Sequence, residues 1–441
     1  MRDMLRDMIA KRSAGIVCGV PSFCTANSLV IESILMQARR FDDDVLIEAT
    51  ANQVNQFGGY TGMQPADFRD FVYEIADRLQ FPKDRIVLGG DHLGPLVWAD
   101  ESESEAMEKA EALVRRFVAA GYKKIHLDTS MRLASDAQDL PPSDETIAAR
   151  GARLYAACEE EYQKLLLSDP DEQRPVYIIG SEVPIPGGIQ KEQEEASVTD
   201  PSAVEKTLTA YREQFAKVGT PEAFENIIGI VVQPGVEFGD NTIFPYDRVE
   251  AAGLIAEMKR YPSIVMEGHS TDYQNPVHLK EMVEDGIAIL KVGPALTFAL
   301  RDGIFALSAI EKEVVPKESQ VKFEEVLERI MLASRKDWEK HYHGAEDEIS
   351  LKRKYSLLDR SRYYLGNSEV QEAIERLIAN FNAAEISLGL LHQYMPLQYV
   401  KVRNGQLPME GKALLLDCVN EIIEAYNYAV KIHYMIPEVF Y

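Results

Sequence analysis

The sequence predicts an α/β fold: a TIM-type (β/α)8 barrel with a mainly helical C-terminal extension. Three observations carry this. Eight short, nearly continuous apolar runs recur between residues 15 and 292. Each is followed by enough chain for a crossover helix. Acids, amides and histidines gather at the C-terminal ends of the runs, where barrels of this type place their chemistry.

The runs are 15–20 (GIVCGV), 45–50 (VLIEAT), 86–90 (IVLGG), 124–129 (KIHLDT), 176–182 (VYIIGSE), 227–233 (IIGIVVQ), 263–269 (SIVMEGH) and 287–292 (IAILKV). Strands buried on both faces read as unbroken apolar stretches, because helices cover the sheet on either side. Between them, 65–79 (PADFRDFVYEIADRL) carries Phe68, Val72, Ile75 and Leu79 at a helical spacing. Residues 101–120 repeat the stripe through Met107, Ala110, Leu113 and Phe117. An open doubly wound sheet would need a Gly-rich phosphate turn after its first strand. PSFCTAN follows Val20 instead. Beyond the runs, 323–333, 369–381 and 413–428 read as helices. The expected division is a catalytic barrel over 1–310 and a helical extension over 311–441 packed on it, with no Gly/Ser/Pro linker between.

The chain has 441 residues, 46% of them hydrophobic, which is enough for a large core and excludes a disordered chain. Its net charge of −24 argues against nucleic acid as the main partner, since phosphate repels a net anion. A local basic pocket for one phosphorylated metabolite is still allowed. No apolar run reaches the roughly 18 residues of a membrane span, so no membrane association is expected. The start, MRDMLRDMIAKRSAGIV, reads as a packed helix rather than a secretory leader. Four cysteines without a CxxC pair indicate reduced thiols and a cytoplasmic setting. A homo-oligomer is expected.

A divalent cation (Zn, Mn, Mg, Co or Ni) wants imidazole nitrogens and carboxylate oxygens. His92, Asp128, Glu182 and His269 stand at the ends of the third, fourth, fifth and seventh runs and form the expected ligand set. His126, two residues before Asp128 on the same face, is expected one layer deeper as a supporting group. Asp91, Glu182 and Glu267 are the candidate acid/base carboxylates, with the split between ligand and base left open. Glu48, Asn52, Gln233, Ser270, Asp272 and Lys291 are candidate substrate contacts at the same rim. Lys291 reads either as a barrel lysine paired with Glu267 or as a group on a substrate oxygen, a Schiff base being the least favoured use. Gly293, opening the last helix, offers backbone N–H groups to a phosphate. Arg360, with Lys354 and Arg362 among tyrosines in 354–364, offers a guanidinium fork for an anion. Two long loops, 130–148 and 183–202, read as lids or subunit contacts, and the charge run KEQEE within the second as a solvated face.

Eight motifs occur in order: VLIEATANQVNQFGGYTGM, GGDHLGP, KIHLDTSM, EVPIPGG, IVVQPGVEF, GHSTDYQ, ILKVGPALTFALR and YSLLDRSRYY. Together, over about residues 15–399, they resemble the tagatose-bisphosphate aldolase Z-subunit (GatZ/KbaZ) family. The resemblance implies a TIM barrel related to class II aldolases. Members of that family have been described as non-catalytic partners of an aldolase catalytic subunit, as tagatose-6-phosphate kinases, and as ketose or ketose-6-phosphate 4-epimerases. The kinase description fits poorly, since neither GxxxxGK[ST] nor a kinase Gly-rich loop is present. The Asp-His pair of GGDHLGP resembles that of the aldolases, which makes His92 a metal ligand and Asp91 the group that moves the C4 hydroxyl proton. Leu96 stands where an Asn is expected in much of the family.

The leading expectation is therefore a metal-dependent 4-epimerase interconverting D-fructose 6-phosphate and D-tagatose 6-phosphate by C3–C4 retro-aldol chemistry. The alternatives are a non-catalytic subunit of the class II D-tagatose-1,6-bisphosphate aldolase, partnered by its catalytic subunit, and a 4-epimerase of the free ketohexose.

Overall fold

The computed structural model describes residues 3–137, 140–184, 188 and 196–431. Eight parallel strands close into a barrel: β1 (Val20–Cys24), β2 (Val45–Thr50), β3 (Ile86–Leu93), β4 (Lys124–Leu127), β5 (Val176–Ile179), β6 (Ile227–Val232), β7 (Val265–Gly268) and β8 (Ile287–Val292). Each pairs with its neighbours in sequence, and β8 pairs with β1. A two-residue hairpin, Glu237–Phe238 with Ile243–Phe244, follows β6 outside the barrel.

The apolar runs locate the strands, with one shift. β1 is VPSFC rather than GIVCGV, because only from Val20 onward does the chain pair with β8, Val20 opposite Ile289. β4, β5, β6 and β7 end one to three residues before their runs do, so the polar residues there stand on the loops at the barrel mouth.

Two apolar layers surround the sheet. Inside, Leu46, Val87, Ile178, Val231, Val265 and Ile289 fill the lower barrel. Leu5 and Met8, from the helix Met4–Ser13, join that same cluster and plug its floor, as the leading Met/Leu spacing suggested. Outside, helices such as Pro65–Leu79 and Glu103–Ala119 bury their stripes against the strands. Among the described residues no helix is long and apolar enough to cross a membrane.

The C-terminal region is woven into this architecture. Helix Pro294–Val314 follows β8, and residue 310 lies inside it. Helix Gly411–Val430 packs against Pro294–Val314, against Pro276–Glu284 and against Ser28–Phe41. It thereby fills the eighth place in the outer ring, between the helices that follow β7 and β1. The Gly19 N–H donates to the Val430 carbonyl, tying the end of this helix to the entry of β1.

Leu415 on that helix is fully buried. Leu415→Ala is expected to cost about 2–5 kcal/mol through the cavity it leaves. Urea unfolding, followed separately through Trp98 beside the barrel mouth and Trp338 in the C-terminal region, should shift as one transition. A Trp98 signal that stays put while Trp338 moves would show the two regions to be independent.

Candidate active site at the barrel mouth

The site begins with a layer of charges above the apolar floor. Glu48 on β2, Lys124 on β4, Glu267 on β7 and Lys291 on β8 are all buried. Lys124 Nζ lies 2.7 Å from Glu48 Oε1 and 2.8 Å from Glu267 Oε2. Lys291 Nζ pairs with Glu48 Oε2 and lies 2.9 Å from Asp91 Oδ2. Every charge thus meets the opposite sign, which is what lets ions survive away from water. Gly89 provides the room, since a Cβ there would stand 2.5 Å from Glu48 Oε1. The partner of Lys291 is thus Glu48 with Asp91, not Glu267. Glu267 is taken by Lys124, which sits at the start of a strand and carries no signal in the sequence.

Burial disfavours the Lys291 ammonium, but Asp91 and Glu48 more than offset it and hold its pKa well above the usual lysine value. An amine held in the ammonium form between two carboxylates is a poor nucleophile, which speaks against the Schiff-base reading. For Asp91, burial again opposes the charge. Here His92, Lys291 and His126 outweigh it and keep the carboxyl ionised far below the normal range.

Above this layer three imidazoles converge. Ring centroids are 5.0 Å apart for His92 and His126, 4.8 Å for His92 and His269, and 5.3 Å for His126 and His269. Asp91, His92, His126 and His269 each offer one ligand atom within 4.8 Å of the others, and all four are buried. Consecutive strand residues normally point to opposite faces. Asp91 and His92 escape this because the β3–β4 register slips between Gly90 and Leu93, and His92 takes a left-handed φ of 49°. Such a bulge re-aims a side chain at the cost of local strain.

Each imidazole is backed by a carboxylate: Asp128 Oδ2 at 2.7 Å from His92 Nδ1, Asp91 Oδ1 at 2.9 Å from His126 Nδ1, and Glu267 Oε1 at 2.9 Å from His269 Nε2. That pairing orients the rings and leaves the opposite nitrogens available. Nε2 of His126 has no hydrogen-bond partner among the described residues. Burial lowers the His269 pKa to about 4, so its ring is neutral, the form that ligates. A buried His/Asp group able to hold a divalent cation is therefore present.

The structure rearranges the expected ligand set. His92 and His269 are in the converged group. Asp128 stands behind His92, because β4 ends at Leu127 and the Asp128 carboxylate turns onto that ring. His126, expected behind, is itself in the group. Glu182 is exposed and lies outside both the group and the cavity lining, because β5 ends at Ile179, three residues short of it.

A cavity of about 590 Å³ opens above the group, large enough for a sugar phosphate. Asn52, Asp91, His92, His269, Ser270, Asp272, Lys291 and Gly293 line it, while Glu48, Gln233 and Glu267 do not. Gln233 instead donates through Nε2 to Glu237 Oε2 at 3.3 Å. The far wall comes from the C-terminal region through Ser334, Lys336, Asp337, Arg362, Tyr363 and Gln371. Tyr60, from the loop after β2, packs on Tyr363 with centroids 4.6 Å apart.

Two anion-binding expectations are also revised. The N–H groups of Gly293 and Ala295, at the head of helix Pro294–Val314, donate to Asp272 Oδ1 at 3.0 and 2.8 Å. The amides suggested for a phosphate are therefore spent on the chain's own carboxylate, which burial pushes up to about 6. Arg360 does not line the cavity. It donates through Nε to the Asp337 carbonyl and stacks on Tyr363, while Arg362, two residues on, faces the cavity. The run KEQEE and most of PIPGG lie outside the described residues.

A closed parallel barrel carrying a buried His/Asp cluster and a capacious polar cavity at the C-terminal ends of its strands is the active-end arrangement of TIM-barrel proteins. Residues 5–431 match the family described as D-tagatose-1,6-bisphosphate aldolase subunit GatZ/KbaZ-like, and the chain belongs to that family. It is similar to a crystal structure from Sinorhizobium meliloti 1021, described as a probable tagatose 6 phosphate kinase. Identity is 42%, the TM-score is 0.85, and the match covers 94% of this chain and 100% of that one. More distant matches include the YdjI aldolase from Escherichia coli K12, at 11% identity and a TM-score of 0.40 over 85% of this chain and 100% of that one. The fructose-bisphosphate aldolase from Campylobacter jejuni matches at 15% and 0.41 over 85% and 90%.

Lys124→Met is expected to destabilise the protein by about 3–5 kcal/mol, because Glu48 and Glu267 lose a shared buried cation. Equilibrium denaturation checks this. A loss under about 1 kcal/mol would mean that water or neighbours satisfy both carboxylates.

Proposed function

We propose that the protein is a metal-dependent ketohexose-phosphate 4-epimerase that interconverts D-fructose 6-phosphate and D-tagatose 6-phosphate by breaking and remaking the C3–C4 bond. The observation that supports this reading is the convergence of three carboxylate-backed imidazoles and an ionised Asp91 at the base of a cavity of about 590 Å³. A purely supportive subunit has no need of such a set.

His92, His126 and His269 would hold the cation, through the nitrogens that their backing carboxylates leave free. A divalent cation bound there supplies Lewis-acid stabilisation of the negative charge developing beside the ketose carbonyl. Asp91, ionised and facing the cavity, takes the proton of the C4 hydroxyl. The C3–C4 electron pair passes to the C2–C3 fragment, and C4 becomes an aldehyde. The cavity walls keep both fragments. The aldehyde turns its other face, C3 attacks it, and Asp91 returns the proton to the new C4 oxygen. Atoms and charge balance with no redox partner. The Lys291 ammonium, 2.9 Å from Asp91 Oδ2, keeps that carboxylate ionised and offers a donor to the ketose oxygens.

The family description favours a second reading, in which the chain supports the catalytic subunit of D-tagatose-1,6-bisphosphate aldolase. The two separate in one assay. Purified protein is incubated alone with fructose 6-phosphate and Mg²⁺, Mn²⁺, Zn²⁺, Co²⁺ or Ni²⁺, and the products are read by NMR. Tagatose 6-phosphate is the expected product. Its absence with every metal, together with activation of an added aldolase subunit, would establish the second reading.

Asp91→Asn should lower kcat by about 10²–10⁴-fold while metal remains bound, as measured by elemental analysis alongside turnover. Undiminished turnover would exclude its role as proton carrier. Glu267→Gln should weaken metal affinity by about 10–100-fold, measured by chelator competition, because His269 loses its orienting partner. Unchanged affinity would show that His269 is held in place without Glu267.

A further inference from the structure

The cavity carries four charged groups beyond the His/Asp cluster and Lys291: Asp272, Lys336, Asp337 and Arg362. Lys336 and Asp337 sit next to each other on the rim and contribute one charge of each sign. Asp272 is spent on the Gly293 and Ala295 amides. Arg362 feels the charges of Asp359 and Asp272 but forms an ion pair with neither. Among the described residues no carboxylate lies in an ion pair with it. Its Nη1 donates to the Leu358 carbonyl and, at 2.9 Å, to the Asp359 carbonyl, and its Nη2 donates to the Tyr363 hydroxyl at 3.2 Å.

The nearby carboxylate of Asp359 is committed elsewhere. It accepts from the Ser361 hydroxyl at 2.5 Å and the Thr297 hydroxyl at 2.6 Å, and Arg301 Nε stands 3.7 Å away. Arg362 is thus held by neutral oxygens on one side, with its Nε–H unclaimed among the described residues. Arg362 is half-buried at the cavity wall, and a guanidinium fork turned to a cavity matches phosphate oxygens.

Resting on the epimerase reading, we infer that Arg362 is the residue that seats the substrate's phosphate, at the wall that the C-terminal region adds to the cavity shared with the His/Asp cluster. The helix N-terminus after β8, the usual phosphate seat of such barrels, is closed here by Asp272. Anchoring at the terminal phosphate leaves the carbonyl end for the His/Asp cluster. It also tethers the aldehyde fragment, which carries that phosphate after C3–C4 cleavage, while it turns.

The test is calorimetric binding of fructose 6-phosphate and of inorganic phosphate to the full chain, together with steady-state kinetics. Arg362→Gln should weaken fructose 6-phosphate binding by about 10–100-fold, the scale of lost charge-assisted hydrogen bonds. It should also remove competition by inorganic phosphate, with the kinetic loss falling mainly on KM. Binding within about twofold of the wild type, or an equal loss on Lys336→Ala, overturns the assignment. Where the Gln variant does not fold, Arg362→Lys decides: it keeps the charge and loses the fork, so a several-fold weakening supports the site and none refutes it. Binding is read without turnover, so the two claims fail separately. Ester binding that depends on Arg362 without epimerisation retains the anion seat and removes the reaction. Epimerisation with Arg362-independent binding does the reverse.

Discussion

The structure depends on one alternating chain of buried charges: Glu267, Lys124, Glu48, Lys291 and Asp91, each touching the next. Lone ions at that depth would be expelled or neutralised. Linked, they fix two carboxylates that matter above them. Glu267 is held from below by Lys124 and turns its other oxygen to His269. Asp91 is held by Lys291 and turns its other oxygen to His126. The geometry of the imidazole cluster is thus inherited from an ion lattice in the barrel wall, and the apolar floor beneath it shuts water out from below.

Strand β3 supplies the second constraint. A regular strand would give the mouth either Asp91 or His92, not both. The slipped register and the positive φ of His92 let two neighbours face one cavity, and the strained backbone is held by what surrounds it. The His92 ring is clasped by Asp128. Gly94 closes the turn against backbone, since a Cβ there would stand 1.6 Å from the Asp128 carbonyl oxygen. The GGDHLG stretch therefore reads residue by residue as room for Glu48, a bulge, two functional side chains and a close backbone approach.

What the sequence makes legible follows from the kind of signal each feature leaves. Doubly buried strands leave continuous apolar runs, so the barrel and seven of its eight strands are visible in order. The first is misplaced because residues 15–20 look as apolar as a strand while their hydrogen-bonding partners begin only at Val20. The histidines stand out as rare residues at strand ends. Lys124 does not, because a lysine opening a strand looks like an ordinary surface residue until Glu48 and Glu267 are seen converging on it. Asp128 and His126 exchange the places expected of them, because spacing reveals a shared face but not where the strand stops. Arg360 and Arg362 share one short sequence. Only the turn of that segment decides which guanidinium meets the cavity and which meets the Asp337 carbonyl.

The helix Gly411–Val430 bears on how the chain divides. Periodicity identifies it as a helix but says nothing of its place. That place is the outer ring, between the helices that follow β7 and β1. With the ring finished by the end of the chain, the segments between residues 315 and 410 are a loop in the topological sense: they leave the barrel after helix Pro294–Val314 and return to it. Loops at the C-terminal face are where TIM barrels build their sites. Here that excursion provides the wall holding Ser334, Asp337, Arg362 and Gln371, and it is fastened to the loop after β2 by the packing of Tyr363 on Tyr60. A barrel cut at residue 310 would lose both the eighth helix of its ring and one wall of its cavity. The C-terminal region therefore supplies both a helix of the outer ring and a wall of the cavity at the barrel mouth.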